Sequence, residues 1–139
     1  VSNRLNLVSS AMYVRAIQEG AESSNMNGMQ AMGIPHWKSV VFADYLIPDY
    51  ENLSVQGGWT YVSSKAVTPE NNLQVSGYHK FDAGLKYVDK VGKSKATYRL
   101  NVENLFDKFY WRDVSQTYGS NTLYPGVPRI FRATATFDF

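Results

Sequence analysis

The end of the chain alternates without a fault. Phe131, Ala133, Ala135, Phe137 and Phe139 fall on one side, and Arg132, Thr134, Thr136 and Asp138 on the other. A period of two is that of a β-strand, whose successive side chains point to opposite faces. The segment before it repeats the division, with Ala96, Tyr98, Leu100, Val102 and Phe106 against Thr97, Arg99, Asn101 and Glu103. So do Leu53, Val55, Trp59 and Tyr61 against Ser54, Gln56 and Thr60, and Phe81, Ala83, Leu85 and Tyr87 against Lys80, Asp82 and Lys86. Six strands are predicted in all, over Arg4 to Ile17, Ser39 to Ile47, Leu53 to Ser63, His79 to Val88, Lys95 to Phe106 and Pro128 to Phe139. The first two are less regular, because Val40 and Phe42 fall on the polar side and Ser9 on the apolar side. Ala11 to Glu22 is also compatible with a helix.

The connections have a rhythm of their own. Pro48 to Asn52 and Asp89 to Ser94 are short, with Pro48-Asp49 and Gly92 supplying turn chemistry. Gln18 to Lys38, Lys65 to Tyr78 and Asp107 to Val127 are long and rich in Gly, Asn, Ser and Pro. Long and short alternate strictly, which places every long loop at one end of an up-and-down meander. Three long structureless loops are unusual in a compact soluble domain. They are the ordinary condition of an outer-membrane barrel, with short turns on one side and long loops on the other. Strands of about 9 to 11 residues, tilted, span the hydrocarbon layer. In that setting the apolar rows face lipid and the polar rows face a watery or protein-filled lumen. Aromatics near strand ends (Tyr13, Tyr45, Trp59, Tyr61, Tyr87, Phe106, Phe137, Phe139) suit interfacial girdles. In a soluble sandwich the same rings would be core.

Composition removes several alternatives. With 139 residues, 44% of them hydrophobic and 19% charged, the chain supports a folded domain and not a disordered tail. Its 14 Lys and Arg are scattered and the net charge is only +2, so no nucleic-acid footprint is expected. Cysteine is absent, which removes thiolate metal sites and cysteine nucleophiles. The two histidines, His36 and His79, are far apart in sequence and belong to no Gly-x-Ser-x-Gly element or metal-ligand spacing, so neither catalysis nor a resident metal is expected. No cofactor is implied.

Near the end of the fifth predicted strand runs Leu100-Asn101-Val102-Glu103-Asn104-Leu105-Phe106-Asp107-Lys108-Phe109-Tyr110-Trp111, and before the last strand Tyr124-Pro125-Gly126-Val127-Pro128-Arg129-Ile130-Phe131. The first closely resembles the Asn-Val-x-Asn-Leu-Phe-Asp-Lys-x-Tyr signature of TonB-dependent outer-membrane receptors. The second resembles that family's carboxy-terminal segment. The resemblance implies an all-β fold: the last six strands of an antiparallel, up-and-down transmembrane β-barrel of about 22 strands around a plug. It implies that the chain end is periplasmic and the long loops extracellular, in a bacterial outer membrane. The plug domain and the TonB box of the family have no counterpart among these residues, so the whole chain, 1 to 139, reads as barrel. Six strands do not close such a barrel, and open edges in lipid would leave backbone groups unpaired at several kcal/mol each.

The implied activity is TonB-dependent uptake of a ferric siderophore, with haem, cobalamin or an oligosaccharide as other cargoes. The implied partners are the siderophore, the TonB complex, the plug, the remaining barrel strands and outer-membrane lipid. A passive porin and a soluble carbohydrate-binding sandwich are the alternatives of other classes. Aromatic and cationic side chains in long loops suit a large polar chelate, which makes His36, Trp37, Tyr110, Trp111, Arg112 and Tyr118 the ligand candidates. Each suits loop packing or an interfacial anchor equally. Asp82, Lys86, Arg99, Asn101 and Glu103 are the candidates for the wall facing the plug, and solvation of a wet wall is the plainer role. Phe137 and Phe139 resemble the terminal-strand signal read by the barrel-assembly machinery.

Overall fold

A computed structural model describes residues 4–21, 24–92, 94–117 and 119–139. Six strands form one antiparallel sheet in chain order: β1 (Leu5–Tyr13), β2 (Trp37–Leu46), β3 (Leu53–Val62), β6 (Tyr78–Val91), β7 (Ser94–Glu103) and β10 (Ile130–Asp138). Two small hairpins stand in the long connections, β4 (Lys65–Ala66) with β5 (Gln74–Val75), and β8 (Trp111–Thr117) with β9 (Ser120–Pro125). A short 3-10 turn, Ser24–Met26, lies in the first long loop. The number, order and direction of the six strands are those the alternation predicts.

The register sorts the faces. Leu100 stands between Leu85 and Ala133, Tyr98 between Tyr87 and Ala135, and Val102 between Ala83 and Phe131. Val55 stands between Tyr45 and Leu85, and Trp59 between Val41 and Phe81. These residues share one continuous apolar face. Asn101 stands between Gly84 and Arg132, and Gln56 between Asp44 and Gly84, on the other. A slip of one residue in any pair would put a polar row onto the apolar face, and this fixes the pairing. The irregular positions follow the same register. Val8, Val40 and Phe42 do lie on the polar face and Ser9 on the apolar face.

Rings mark both ends of the apolar face. Tyr13 packs on Trp37 (4.8 Å between centroids), and Trp59, Tyr61 and His79 stack on one another at the long-loop end. Tyr87, Tyr98 and Phe137 meet at the short-turn end. In β1 the row runs from Leu5 to Tyr13, and eight steps of about 3.3 Å cover roughly 26 Å before tilt, close to the apolar height of such barrels.

One alternative is removed and two expectations are corrected. The segment after Tyr13 is not helical. It stays extended and pairs back on its own loop through Val14 N–H to His36 O, Ala31 N–H to Ala16 O and the Ile17–Gln30 bridge. The regular first strand ends at Tyr13, short of Ile17. The long loops are also not structureless. Gly33 N–H donates to the Ala66 carbonyl at 2.9 Å, Asn71 bonds both backbone groups of Gln30, and Gln18 donates to the Pro69 carbonyl at 2.7 Å. The loop hairpins run for two to seven residues and are largely polar, so they carry no hydrophobic period to read.

The small buried core lies at this end: Val62, Tyr78 and Tyr110, with Ala66, Val67 and Val75. β1 is exposed along its whole length and β10 along nearly all of it.

Candidate functional site

The longest connection leaves β7 at Glu103 and returns at Ile130, and its base is fastened by one side chain. Asn104 is 1% exposed and adopts φ 51°, a left-handed conformation that Asn tolerates better than most residues. Its Nδ2 donates to the carbonyls of Lys108 (2.9 Å) and Val127 (3.0 Å), and its Oδ1 accepts from Lys108 N–H (3.0 Å). Its own N–H donates to Asp82 Oδ1 at 2.8 Å. Asp107, also left-handed at φ 51°, gives its N–H to the Asn104 carbonyl and accepts Arg129 N–H on Oδ1 at 2.8 Å. The two motifs that stand apart in the sequence, Asn104-Leu105-Phe106-Asp107 and Gly126-Val127-Pro128-Arg129, are therefore two halves of one clasp.

Above the clasp the β8–β9 hairpin is seated by Tyr110. Its ring stacks on Tyr78 with centroids 4.1 Å apart, and its other side meets the bare backbone of Gly126. A Cβ at Gly126 would lie 2.1 Å from Tyr110 Cζ, so only glycine admits the ring. Gly126 N–H closes the contact on the Tyr110 carbonyl at 2.8 Å. A cleft of about 470 Å³ opens beside this stack, lined among others by Val67, Leu73, Tyr78, Lys108, Tyr110 and Trp111. Arg112 and Asp113 form an exposed ion pair at 2.6 Å on the hairpin.

Lys65 ties the hairpin to the neighbouring loop. It is 4% exposed and its Nζ donates to the Arg112 carbonyl. Burial lowers its pKa from the ordinary lysine value, nearby Lys38 and Arg112 add to the effect, and Asp113 opposes it. The folded form thus holds this proton less tightly than the unfolded chain. Stability therefore rises as pH climbs from the depressed folded pKa toward the ordinary value of 10.5, and the penalty is full below that window. The melting of the hairpin, followed by a fluorine label on Trp111, should move upward across that window and lose this pH dependence in Lys65→Met.

The polar face has its own hollow, about 250 Å³, floored by Gly58 and Gly84 and bordered by Phe42, Gln56, Asn101 and Glu103. The Asn101 amide lies across Gly84, where a Cβ would be 2.4 Å from its Oδ1. Lys86 binds Asp44 at 2.9 Å, Gln56 donates to the same carboxylate at 2.7 Å, and Lys80 binds Asp82 at 2.9 Å. Glu103 and Arg132 stand 3.7 Å apart.

The predicted site residues are thereby sorted. Tyr110, Trp111 and Arg112 are brought together on one hairpin. Trp37 stands on the apolar face beside Tyr13, and His36 stacks on Tyr13 with Nδ1 3.0 Å from the Val14 carbonyl, so both belong to the aromatic row. Tyr118 lies outside the described residues. Asp82, Lys86, Arg99, Asn101 and Glu103 all lie on the polar face. Sequence reasoning missed Tyr78, Lys65, Gly126 and the clasp. The two motifs contained the signal for Gly126 and the clasp, whereas nothing near Lys65 or Tyr78 marks them. Among the described residues no three His, Asp or Glu side chains converge as metal ligands.

Residues 2–105 match the family model described as "TonB dependent receptor-like, beta-barrel". The chain is 30% identical over 125 residues to the ferrichrome receptor FcuA of Yersinia enterocolitica, covering 88% of this chain and 16% of that protein. It is 31% identical to the ferrichrome outer membrane transporter/phage receptor of Escherichia coli K12, covering all of this chain and 18% of the relative. The crystal structure of BauA, the ferric preacinetobactin receptor of Acinetobacter baumannii, superposes with a TM-score of 0.87 at 26% identity, over 99% of this chain and 20% of that one. The chain thus spans a fifth or less of each of these three proteins.

Proposed function

Since the chain belongs to the β-barrel family of TonB-dependent receptors, proteins of the Gram-negative outer membrane, we propose that it forms the carboxy-terminal wall of a receptor that takes up a ferric siderophore. The observation that carries this reading is the hairpin bearing Tyr110, Trp111 and Arg112 beside the 470 Å³ cleft, at the long-loop end of a sheet with one apolar and one polar face. The long-loop end is extracellular and Phe139 periplasmic. Trp111 stacks on a chelate and Arg112, exposed on the same hairpin, meets its negative charge, while Tyr110, enclosed between Tyr78 and Gly126, holds the hairpin in place. Ferrichrome and ferric preacinetobactin, the ligands in the relatives' names, support a ferric siderophore as the cargo. The polar face, with Asp82, Lys86, Arg99, Asn101 and Glu103, looks toward the plug, and Phe137 and Phe139 serve barrel assembly. His36 and Trp37 act as interfacial anchors.

Growth on single ferric siderophores as sole iron source, with and without the full-length gene, tests the reading. Gene-dependent growth that also requires TonB is expected, and iron entry independent of TonB would replace it with a passive pore. Arg112→Gln should weaken uptake of an anionic chelate by about tenfold, the scale of one charge-assisted contact, at unchanged surface level. Equal uptake by the variant would remove Arg112 from the site.

A further inference from the structure

Three connections lie side by side at the long-loop end: residues 14–36 between β1 and β2, 63–77 between β3 and β6, and 104–129 between β7 and β10. The middle one is a hub. Lys65, Ala66 and Val67 are all buried, and neighbouring groups there serve different partners. The Lys65 ammonium donates to the Arg112 carbonyl of the third connection, and the Ala66 carbonyl accepts Gly33 N–H of the first at 2.9 Å.

A second tie joins the first connection to the middle one. Asn71, left-handed at φ 57°, accepts Gln30 N–H on Oδ1 at 2.8 Å and returns Nδ2 to the Gln30 carbonyl at 2.9 Å. Gln18 Nε2 adds a bond to the Pro69 carbonyl at 2.7 Å. The first and third connections also touch directly: Gly33 has φ 74°, and a Cβ there would lie 3.0 Å from the Val114 carbonyl oxygen on β8. Gly33 therefore meets both of the other connections, and displacing any one of the three breaks its contacts with the other two. Segments tied in this way open as a unit. The 470 Å³ cleft is lined from the middle and third connections and by Tyr78, and by no described residue of the first.

We propose that the three connections form one cooperative body, keyed by Gly33 and the Gln30–Asn71 pair, in which the first connection holds the hairpin of Trp111 and Arg112 in place without touching the cleft. Gln30, Gly33 and Asn71 are then positioning residues for that hairpin. Coupling of this kind is reciprocal, so loosening the hairpin loosens the first connection as well. The coupling stands whatever the hairpin binds, and its meaning for cargo rests on the function proposed above.

Hydrogen exchange of the full-length receptor in detergent, without cargo, tests this when read by mass spectrometry over residues 28–34, 53–62 and 111–117. Asn71→Gly keeps the left-handed backbone and removes both bonds to Gln30. It should speed exchange over 28–34 and 111–117 together, each by about tenfold, the scale of the bonds lost, and leave 53–62 of β3 unchanged. From the other end, Tyr110→Ala unseats the hairpin and should speed exchange over 28–34 as well. Exchange over 111–117 that does not follow Asn71→Gly, or over 28–34 that does not follow Tyr110→Ala, would show independent loops and overturn the proposal. An equal rise over 53–62 would make the whole sheet the cooperative unit and overturn it too. Siderophore-dependent growth is read separately: coupled loops in a receptor that supports no such growth would remove the cargo reading and leave the loop body standing.

Discussion

Asn104→Ala should lower the stability of the protein by about 4 kcal/mol, from two sources. The side chain makes three hydrogen bonds in a site that is 1% exposed, to the Lys108 carbonyl, the Val127 carbonyl and the Lys108 N–H. Leaving such partners unsatisfied costs about 1–3 kcal/mol each where water does not replace the side chain. Alanine is also disfavoured at φ 51° by roughly 1–2 kcal/mol. Thermal unfolding in detergent, read by the heat-dependent gel shift of the barrel, measures the sum. Asn104→Gly separates the two sources, because glycine accepts the left-handed conformation and should recover only about 1 kcal/mol. If Ala and wild type melt together, the clasp is not what holds the loop base.

The second large effect is expected at Gly126. In Gly126→Ala the new Cβ would lie 2.1 Å from Tyr110 Cζ, so the ring must leave its place against Tyr78. Overpacking of this kind costs about 3 kcal/mol. The consequence reaches further than stability, since Tyr110 seats the hairpin that carries Trp111 and Arg112. If the hairpin contacts the cargo as proposed, siderophore affinity should fall together with the protease resistance of residues 111–125. A double-mutant cycle makes the argument specific: on a Tyr110→Ala background, Gly126→Ala should be nearly neutral, because the clash partner is gone. Additive losses would show that Gly126 acts through something other than the ring.

Both predictions arise where the sequence holds a motif but no geometry. Asn104 and Asp107 stand near the end of β7, and Gly126 and Arg129 just before β10, more than twenty residues away. Nothing in either segment says that Asp107 Oδ1 accepts Arg129 N–H. The six-strand meander, in contrast, was legible throughout. Strand alternation is a local signal with a fixed period, and in a two-faced sheet every row repeats it. Even its faults were informative: Val40 and Phe42, on the polar side by count, do stand there, next to the hollow over Gly58. The loops resisted reading for the opposite reason. Their hairpins are short and polar, and their packing depends on contacts such as Gln30 with Asn71 and Lys65 with Arg112, which no period announces.

The candidate site divides along the same line. The presence of aromatic and cationic residues in the long connections was plain from the sequence, but side-chain type is shared by ligand contacts and membrane anchors. Only the register, with Trp37 opposite Tyr13 on the apolar face, separates that ring from Tyr110, which turns inward onto Tyr78. The sequence by itself determined the strands, their faces and the end at which the loops gather, because these follow from which neighbours a residue has along the chain. The tertiary structure alone decided which loop residues meet and which aromatic is buried, because those depend on neighbours brought together across the sheet.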